Sequence, residues 1–196
     1  MARFTDYFEP YVEAWEYFFS KQVDWRADEK KVAVEIGSYE GSSAIWITNN
    51  LLKAPDSELY CIDAWGDVAG ERHFENFQKN VLERTAASKL RIVRDLSFNA
   101  LLALNRKRLK ADLLYVDGSH SAPDVLSDLV LGFALVKVGG VIVCDDYTWD
   151  DPKHGGDDLA ARPKLAIDAF TTIYARKVRL HRAMPLRQIF LTKTAD

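Results

Sequence analysis

The sequence predicts an α/β fold, a doubly wound and mostly parallel sheet with helices on both faces. Three observations predict it. A β-branched run (Val32, Val34, Ile36) leads through Gly37 and Gly41 into a helix-like stretch over residues 44–53, the strand–turn–helix opening of a nucleotide-binding domain. Apolar strand-like runs then alternate with helical patterns along the chain, as in successive βαβ units. Four strands close on or beside an acid, Glu35, Asp63, Asp117 and Asp145. Parallel strands bring such ends to one sheet edge, where open α/β folds bind ligands.

Composition narrows the function classes. The chain has 196 residues, enough for one well-packed domain; residues 1–30 read as a helical extension and 31–196 as the domain. It is 48% hydrophobic and 28% charged, which places it among globular proteins rather than disordered or membrane-spanning ones. Its 26 basic and 29 acidic residues give a net charge of −3, so no global field draws it to nucleic acid or anionic membrane. No run of about 18 apolar residues suggests a membrane span. The start, MARFTDYFEPYVEAW, lacks the apolar core of a signal peptide. Cys61 and Cys144 do not make a disulfide framework, which fits a reducing cytoplasm.

Taken in order, residues 8–21 form an aromatic helix with Tyr11, Trp15, Phe18 and Phe19 at helical spacing. That stripe packs on the sheet or a neighbouring helix, or else covers a substrate or forms the surface of a homodimer. After the helix at 44–53, Pro55-Asp56-Ser57 turns the chain into a strand at 58–63. Asp63 ends it, about 20 residues beyond the glycine turn, where nucleotide-binding α/β sites keep an acid for ribose hydroxyls. A helix over 72–87 carries His73 on its surface. A strand at 89–94 ends in Asp95-Leu96-Ser97, and Ser97 is placed to cap a helix at 99–108. The basic cluster Arg106, Lys107, Arg108 and Lys110 suits the negative end of that helix and has no interleaved aromatics to suggest nucleic-acid binding.

The second half is richer in chemistry. Residues 112–117, DLLYVD, read as a buried parallel strand ending in an acid. A helix over 123–137 stops at Val138-Gly139-Gly140, where glycine suits a left-handed cap. A strand at 141–145 ends in Asp145-Asp146. Asp117, Asp145 and Asp146 would crowd together, and unpaired carboxylates raise one another's pKa. A hard cation such as Mg²⁺ relieves this and accepts oxygen ligands; Ca²⁺ or Mn²⁺ suits the same donors. The alternative is a strand-end acid followed by a helix cap. Residues 150–162 are polar, with turn signals at Asp151-Pro152 and Gly155-Gly156, and would form a lid or a solvated loop. Trp149 and His154 are candidate substrate contacts. Proline starts a helix at 163–174, and strands at 178–181 and 188–192 close the chain.

The spacing Glu-x-Gly-x-x-x-Gly-x-Ser over residues 35–43 is neither G-x-G-x-x-G nor a phosphate loop with its lysine. A carboxylate there repels pyrophosphate and suits a ligand with an ammonium group. The stretch Glu35-Ile36-Gly37-Ser38-Tyr39-Glu40-Gly41-Ser42-Ser43 resembles motif I of class I S-adenosylmethionine (SAM) methyltransferases. It is most similar to the catechol-type O-methyltransferases, whose motif also carries a tyrosine and a serine at the places of Tyr39 and Ser43. The resemblance runs from about residue 32 to 193. It implies a Rossmann-like, seven-stranded sheet, mostly parallel, with one antiparallel strand near its C-terminal edge. It also implies SAM as cofactor, held by Glu35, Gly37, Tyr39, Ser43 and Asp63, with Ser97 beside the adenine.

Asp63-Ala64-Trp65-Gly66-Asp67 resembles a subfamily of bacterial methyltransferases acting on small metabolites; Trp65 lines an acceptor pocket or folds back on the core. The acid set Asp117, Asp145 and Asp146 resembles the metal site of the catechol-type and macrocin-type enzymes. The catechol group has asparagine where Asp146 stands, so the doubled acid is nearer the sugar-modifying group. His120 stands where the catechol group carries a catalytic lysine, and a histidine can take a hydroxyl proton near neutral pH. Asp117 and His120 are thus the candidate catalytic residues. His120 as a helix cap or an adenine stacker is the structural alternative. The expected activity is methyl transfer from SAM to a small-molecule hydroxyl, on a sugar or an aromatic ring, with a divalent metal assisting. A nicotinamide-dependent oxidoreductase and a non-catalytic SAM-binding partner subunit are the other readings. The missing G-x-G-x-x-G counts against the first, and the intact acid triad against the second.

Overall fold

The computed structural model describes residues 6–66, 68–150 and 158–196. Asp67, His154 and the Gly155-Gly156 turn of the expected lid lie outside the described residues. The chain divides into two compact units, Met1–Asp95 and Leu96–Asp196.

In the first unit, β1 (Val32–Ile36) is buried at every position, as its continuous apolar run requires of a strand covered on both faces. It pairs in parallel with β2 (Glu58–Asp63), from Val32↔Glu58 to Ile36↔Ile62. β2 pairs in parallel with β3 (Leu90–Arg94), from Leu59↔Leu90 to Asp63↔Arg94. The helical segment before them starts with a tight turn, Glu9–Tyr11, continues as α1 (Val12–Tyr17) and ends in a widened turn, Phe18–Gln22. Its aromatic stripe packs on α2 (Ser42–Asn50). The Trp15 ring is fully buried and meets Phe8 at 5.1 Å, Phe19 at 5.5 Å and Trp46 of α2 at 5.7 Å. The stripe thus packs against a neighbouring helix, as one of the readings open for it expects. α3 (Val68–Arg84) begins four residues earlier than the sequence pattern suggests, the added turn carrying Gly70, a poor helix former.

In the second unit, α4 (Ser97–Arg106), β4 (Ala111–Val116), α5 (Ala122–Leu135) and β5 (Val136–Cys144) follow one another. β4 and β5 are parallel. After α6 (Pro163–Ile173) come β6 (Val178–Leu180) and β7 (Ile189–Lys193). β7 runs antiparallel to both β5 and β6. Phe133 of α5, Phe170 of α6 and Tyr174 form one aromatic cluster, with Tyr174 4.7 Å from Phe133 and 4.5 Å from Phe170. The strand order is β3-β2-β1-β4-β5-β7-β6, the seven-stranded and mostly parallel sheet expected from the sequence, with β7 as the antiparallel strand. Cys61 and Cys144 are buried free thiols. Among the described residues no helix is long and apolar enough to cross a membrane.

One boundary corrects the sequence reading. α5 stops at Leu135 and the strand starts at once, at Val136. The expected glycine cap is instead a bulge: pairing passes from Ala111↔Val136 to Leu113↔Val141, with Gly139 at φ +88°. The helix end is satisfied from elsewhere. The buried Lys193 ammonium donates to the carbonyls of Phe133 (3.1 Å) and Val136 (2.9 Å). A side chain thus takes the C-terminal carbonyls that a glycine motif would otherwise satisfy.

Trp15 carries the contact between the N-terminal helix and α2. Trp15→Ala is expected to lower unfolding stability by about 3–5 kcal/mol, the usual loss for a buried tryptophan, read as a fall in the urea midpoint with little change in slope.

Candidate functional site

In the first unit, the turn after β1 is built around two acids. Glu35 is fully buried and accepts a 2.6 Å hydrogen bond from Ser38 Oγ on Oε2. It therefore braces the turn from inside rather than opening onto a crevice, as its strand-end position had suggested. Burial pushes its carboxyl up to about 7; the hydroxyls of Ser38 and Ser43 pull it down and the charge of Asp63 adds to the rise. Oε1 has no partner at hydrogen-bond geometry. Ser43, in the first turn of α2, is buried as well.

Asp63 is the hinge of this region. Its Oδ2 accepts from the Tyr39 amide at 2.9 Å, and its Oδ1 from the Trp65 amide at 3.0 Å. One strand-end carboxylate thus ties the turn after β1 to the exit of β2. Tyr39 and Trp65 sit at φ +43° and +40°, uncommon for bulky residues. Gly37 donates its amide to Ile62 O at 2.8 Å. Gly41 stands at φ +90°, and a Cβ there would lie 3.0 Å from Phe77 and 3.0 Å from Val81 on α3. The backbone angle calls for glycine at that position, and a Cβ would also press on both side chains.

Trp65, for which a pocket wall and a core position were open, takes the core position. It is buried, lies 4.8 Å from Phe74 and 5.1 Å from Phe77, and donates its indole N–H to Tyr39 O at 2.9 Å. His73, expected on the surface, is half-buried: Nδ1 is 2.8 Å from Glu40 Oε1, and the ring lies 4.4 Å from Tyr39. Asn76 donates to Glu40 Oε1 at 2.8 Å, and Asn80 to Glu40 O at 2.9 Å. Sequence reasoning missed this polar clamp on the turn. Its signal was present, since His73, Asn76 and Asn80 recur at i, i+3 and i+7 on one helix face.

In the second unit, Ser97 is the first residue of α4; Leu96 holds the cap position and gives no side-chain cap. The capping role expected of Ser97 is not what its backbone adopts. Its hydroxyl bears instead on Asp128 of α5, whose carboxyl burial pushes up to about 6 while Ser97 draws it down.

The acid cluster follows from strand register. Val116 pairs with Cys144, and the Asp145 amide donates to Val116 O at 2.9 Å, so Asp117 and Asp145 leave adjacent strands side by side. Carboxylate oxygens of Asp117, Asp145 and Asp146 lie within 4.8 Å of one another. The Tyr115 hydroxyl meets Asp117 Oδ2 at 3.1 Å and also Asp145 Oδ2. Gln188 Nε2 donates to Asp145 Oδ2 at 2.6 Å, and the Asp146 amide to Asp145 Oδ1 at 2.6 Å. Burial pushes the Asp145 carboxyl up, Tyr115 and Gln188 draw it down, and the charge of Asp146 raises it again. Asp146, at φ +56°, has Arg187 Nη2 on Oδ1 at 2.9 Å and His120 Nε2 on Oδ2 at 2.9 Å. The His120 ring stacks on Trp149 with centroids 4.0 Å apart.

Tyr115, Arg187 and Gln188 were not foreseen. Tyr115 had a signal, because residues i and i+2 of a strand share a face and Asp117 is two residues on. Arg187 and Gln188 had none, since their place depends on how a distant strand pairs.

The donor set fits a hard divalent cation. Three carboxylates supply oxygen ligands, and the span between them suits bonds of about 2.1–2.5 Å. Without such an ion, hydrogen bonds from Tyr115, Gln188, Arg187 and His120 carry the compensation.

Comparison with known proteins agrees with this architecture. Residues 34–147, more than half of the chain, match the family model for a methyltransferase domain. An uncharacterised protein of Acanthamoeba polyphaga mimivirus, R132, is 31% identical over 118 residues, covering 58% of this chain and 50% of that one; the chain thus spans about half the length of this curated relative. The O-methyltransferase TomG of Streptomyces achromogenes, involved in tomaymycin synthesis and solved with SAM, superposes with a TM-score of 0.66 at 20% identity, over 84% of this chain and 74% of that one. MycE, the mycinamycin-pathway methyltransferase solved with Mg, S-adenosylhomocysteine and mycinamycin VI, superposes with a TM-score of 0.63 at 15% identity, over 99% of this chain and 55% of that one. At such identities the superpositions speak for the fold. The sequence match over residues 34–147 speaks for the family, and this chain belongs to the methyltransferase domain family.

Proposed function

We propose that the chain transfers the methyl group of SAM to a hydroxyl of a small molecule, a sugar or an aromatic metabolite, with a divalent cation assisting. The observation that carries this reading is the cluster of Asp117, Asp145 and Asp146 in a chain of the methyltransferase family. MycE, a methyltransferase solved with Mg, S-adenosylhomocysteine and mycinamycin VI, and TomG, an O-methyltransferase solved with SAM, are structural neighbours that support this reading.

SAM, when bound, supplies a methyl group activated by its sulfonium, so the protein has mainly to orient the acceptor and manage one proton. Glu35, Gly37, Tyr39, Ser43 and Asp63 are the proposed SAM-binding residues, with Ser97 beside the adenine. Asp63 holds the turn by its two amide bonds and has lone pairs left for ribose hydroxyls. Glu35 acts from behind, setting the turn through Ser38. A ligand that brings an ammonium group would favour the ionised form of this carboxyl.

Asp117, Asp145 and Asp146 are the proposed cation ligands. A bound cation supplies positive charge that offsets the carboxylates and lowers the pKa of an acceptor hydroxyl. His120 takes the proton. With Nε2–H donated to Asp146 Oδ2, Nδ1 keeps the lone pair for the acceptor. Stacking on Trp149 fixes the ring plane.

Calorimetric titration with SAM and S-adenosylhomocysteine tests the reading first. Micromolar binding of either is expected, and absence of binding to both removes it. Asp63→Ala is expected to weaken SAM binding at least tenfold, since two amides of the turn lose a charged acceptor. Asp145→Ala is expected to abolish any stimulation of methyl transfer by Mg²⁺ over chelated enzyme; stimulation that survives the substitution counts against the cation site.

Glu35 gives a pH signature. Its folded carboxyl is raised from 4.5 to about 7, so between these values the folded chain holds a proton that the unfolded chain has released. Stability then falls as pH rises through that window. Glu35→Gln removes this contribution. The stability of wild type relative to Glu35→Gln is expected to decline from pH 5 to pH 8 in urea unfolding; a constant difference would show that Glu35 is not held protonated.

A further inference from the structure

We infer that Arg187 is the resident counter-cation of Asp146 and competes with a divalent cation for that carboxylate. The inference rests on the proposed cation site and adds a residue that sets how tightly the site is filled. Both oxygens of Asp146 are engaged, Oδ1 by Arg187 Nη2 and Oδ2 by His120 Nε2, each at 2.9 Å. The two donors differ. His120 is a neutral donor when unprotonated, whereas Arg187 always carries a full positive charge. A cation shared by Asp117, Asp145 and Asp146 would sit within a few ångströms of the guanidinium, and like charges that close repel strongly where water is scarce. The Asp146 side chain is only 13% exposed, so screening by solvent is weak on its side of the pair.

Arg187 is built to leave. Its side chain is 49% exposed, so the guanidinium borders water. Its backbone is separately held, because Arg187 O accepts the Tyr147 amide at 2.9 Å. Gln188, next in sequence, stays on Asp145 Oδ2 at 2.6 Å. Release of Arg187 is therefore a side-chain movement that leaves the start of β7 and the remaining donors in place. Asp146 is likewise fixed, through its amide on Asp145 Oδ1 and its left-handed backbone. In the cation-free state Arg187 keeps the acids compensated and ordered. In the cation-bound state the same charge stands outside, and the affinity for metal is lower than three uncompensated carboxylates would give.

The test is calorimetric titration of the full chain with Mn²⁺, comparing wild type, Arg187→Gln, Arg187→Lys and Asp146→Asn. Arg187→Gln is expected to bind Mn²⁺ at least tenfold more tightly than wild type. Arg187→Lys, which keeps the charge, is expected to stay within about threefold of wild type, and Asp146→Asn to bind weakly. Equal or weaker binding by Arg187→Gln overturns the inference while leaving the cation site standing. Absence of Mn²⁺ binding by both wild type and Arg187→Gln overturns the cation site and the inference together. Thermal unfolding supplies a second readout. In chelator, Arg187→Gln should melt below wild type, and saturating Mn²⁺ should raise its Tm by more than it raises that of wild type. An equal rise for the two proteins overturns the competition.

Discussion

The regions proposed to carry function depend on one kind of bond, a strand-end carboxylate accepting the amide of a residue in the left-handed conformation. Four non-glycine residues among those described have positive φ: Tyr39, Trp65, Arg108 and Asp146. Three of them donate their own N–H to such an acid. Tyr39 and Trp65 donate to the two oxygens of Asp63, and Asp146 donates to Oδ1 of Asp145. The left-handed conformation costs a side-chain-bearing residue about 1–2 kcal/mol. A hydrogen bond to a charged acceptor contributes about 1.5–3 kcal/mol. The bond therefore offsets the strain, and removing the acid would release the turn as well as a charge. In this chain the acids at strand ends are structural before they are chemical.

The two units use that bond under different electrostatic pressure. Asp63 stands between two amides, and the turn it organises is clamped from the other side by His73, Asn76 and Asn80 on Glu40. Asp117 and Asp145, by contrast, leave neighbouring strands, which lie about 4.8 Å apart, and Asp146 follows at once. Crowding of that kind is unfavourable unless donors or a cation intervene. The cluster has both recourses: Tyr115, Gln188, Arg187 and His120 already bond its oxygens, and the three carboxylates remain close enough together to share an ion. A polar network so nearly satisfied holds its shape, which is what the proposed placing of an acceptor oxygen would need.

The legible part of this structure was what local pattern determines. The apolar run of β1, the acid at Asp63, the DLLYVD strand and the proline opening α6 each carried their element in their own residues. The acids of the cluster were legible for the same reason, since strand ends can be read once the strands are. What escaped was set by tertiary partners. α5 ends two residues early, and Lys193, sixty residues beyond Phe133, bonds the carbonyls of Phe133 and Val136 at that end. Trp65 left two readings open until Phe74 and Phe77 claimed its ring. Glu35 looked like an open ligand by position alone, and only the packing around β1 shows that it is sealed against Ser38.

Arg187 and Gln188 escaped for a deeper reason, and it bears on why the sheet ends as it does. A seventh strand parallel to β5 would bring its carboxyl end to the acid cluster. β7 is antiparallel, with Cys144 opposite Ile189, so its amino end arrives there, preceded by the chain that leads into it. The two residues just before the strand, Arg187 and Gln188, are thereby delivered to Asp146 and Asp145. Strand inversion converts an edge that would add another strand end, in a sheet whose strand ends are mostly acids, into one that adds a guanidinium and a carboxamide. The same inversion places Lys193, at the far end of β7, on the carbonyls of Phe133 and Val136. One reversed strand therefore brings donors to the acid cluster at its start and caps α5 at its end, and both effects would be lost together if its direction were changed.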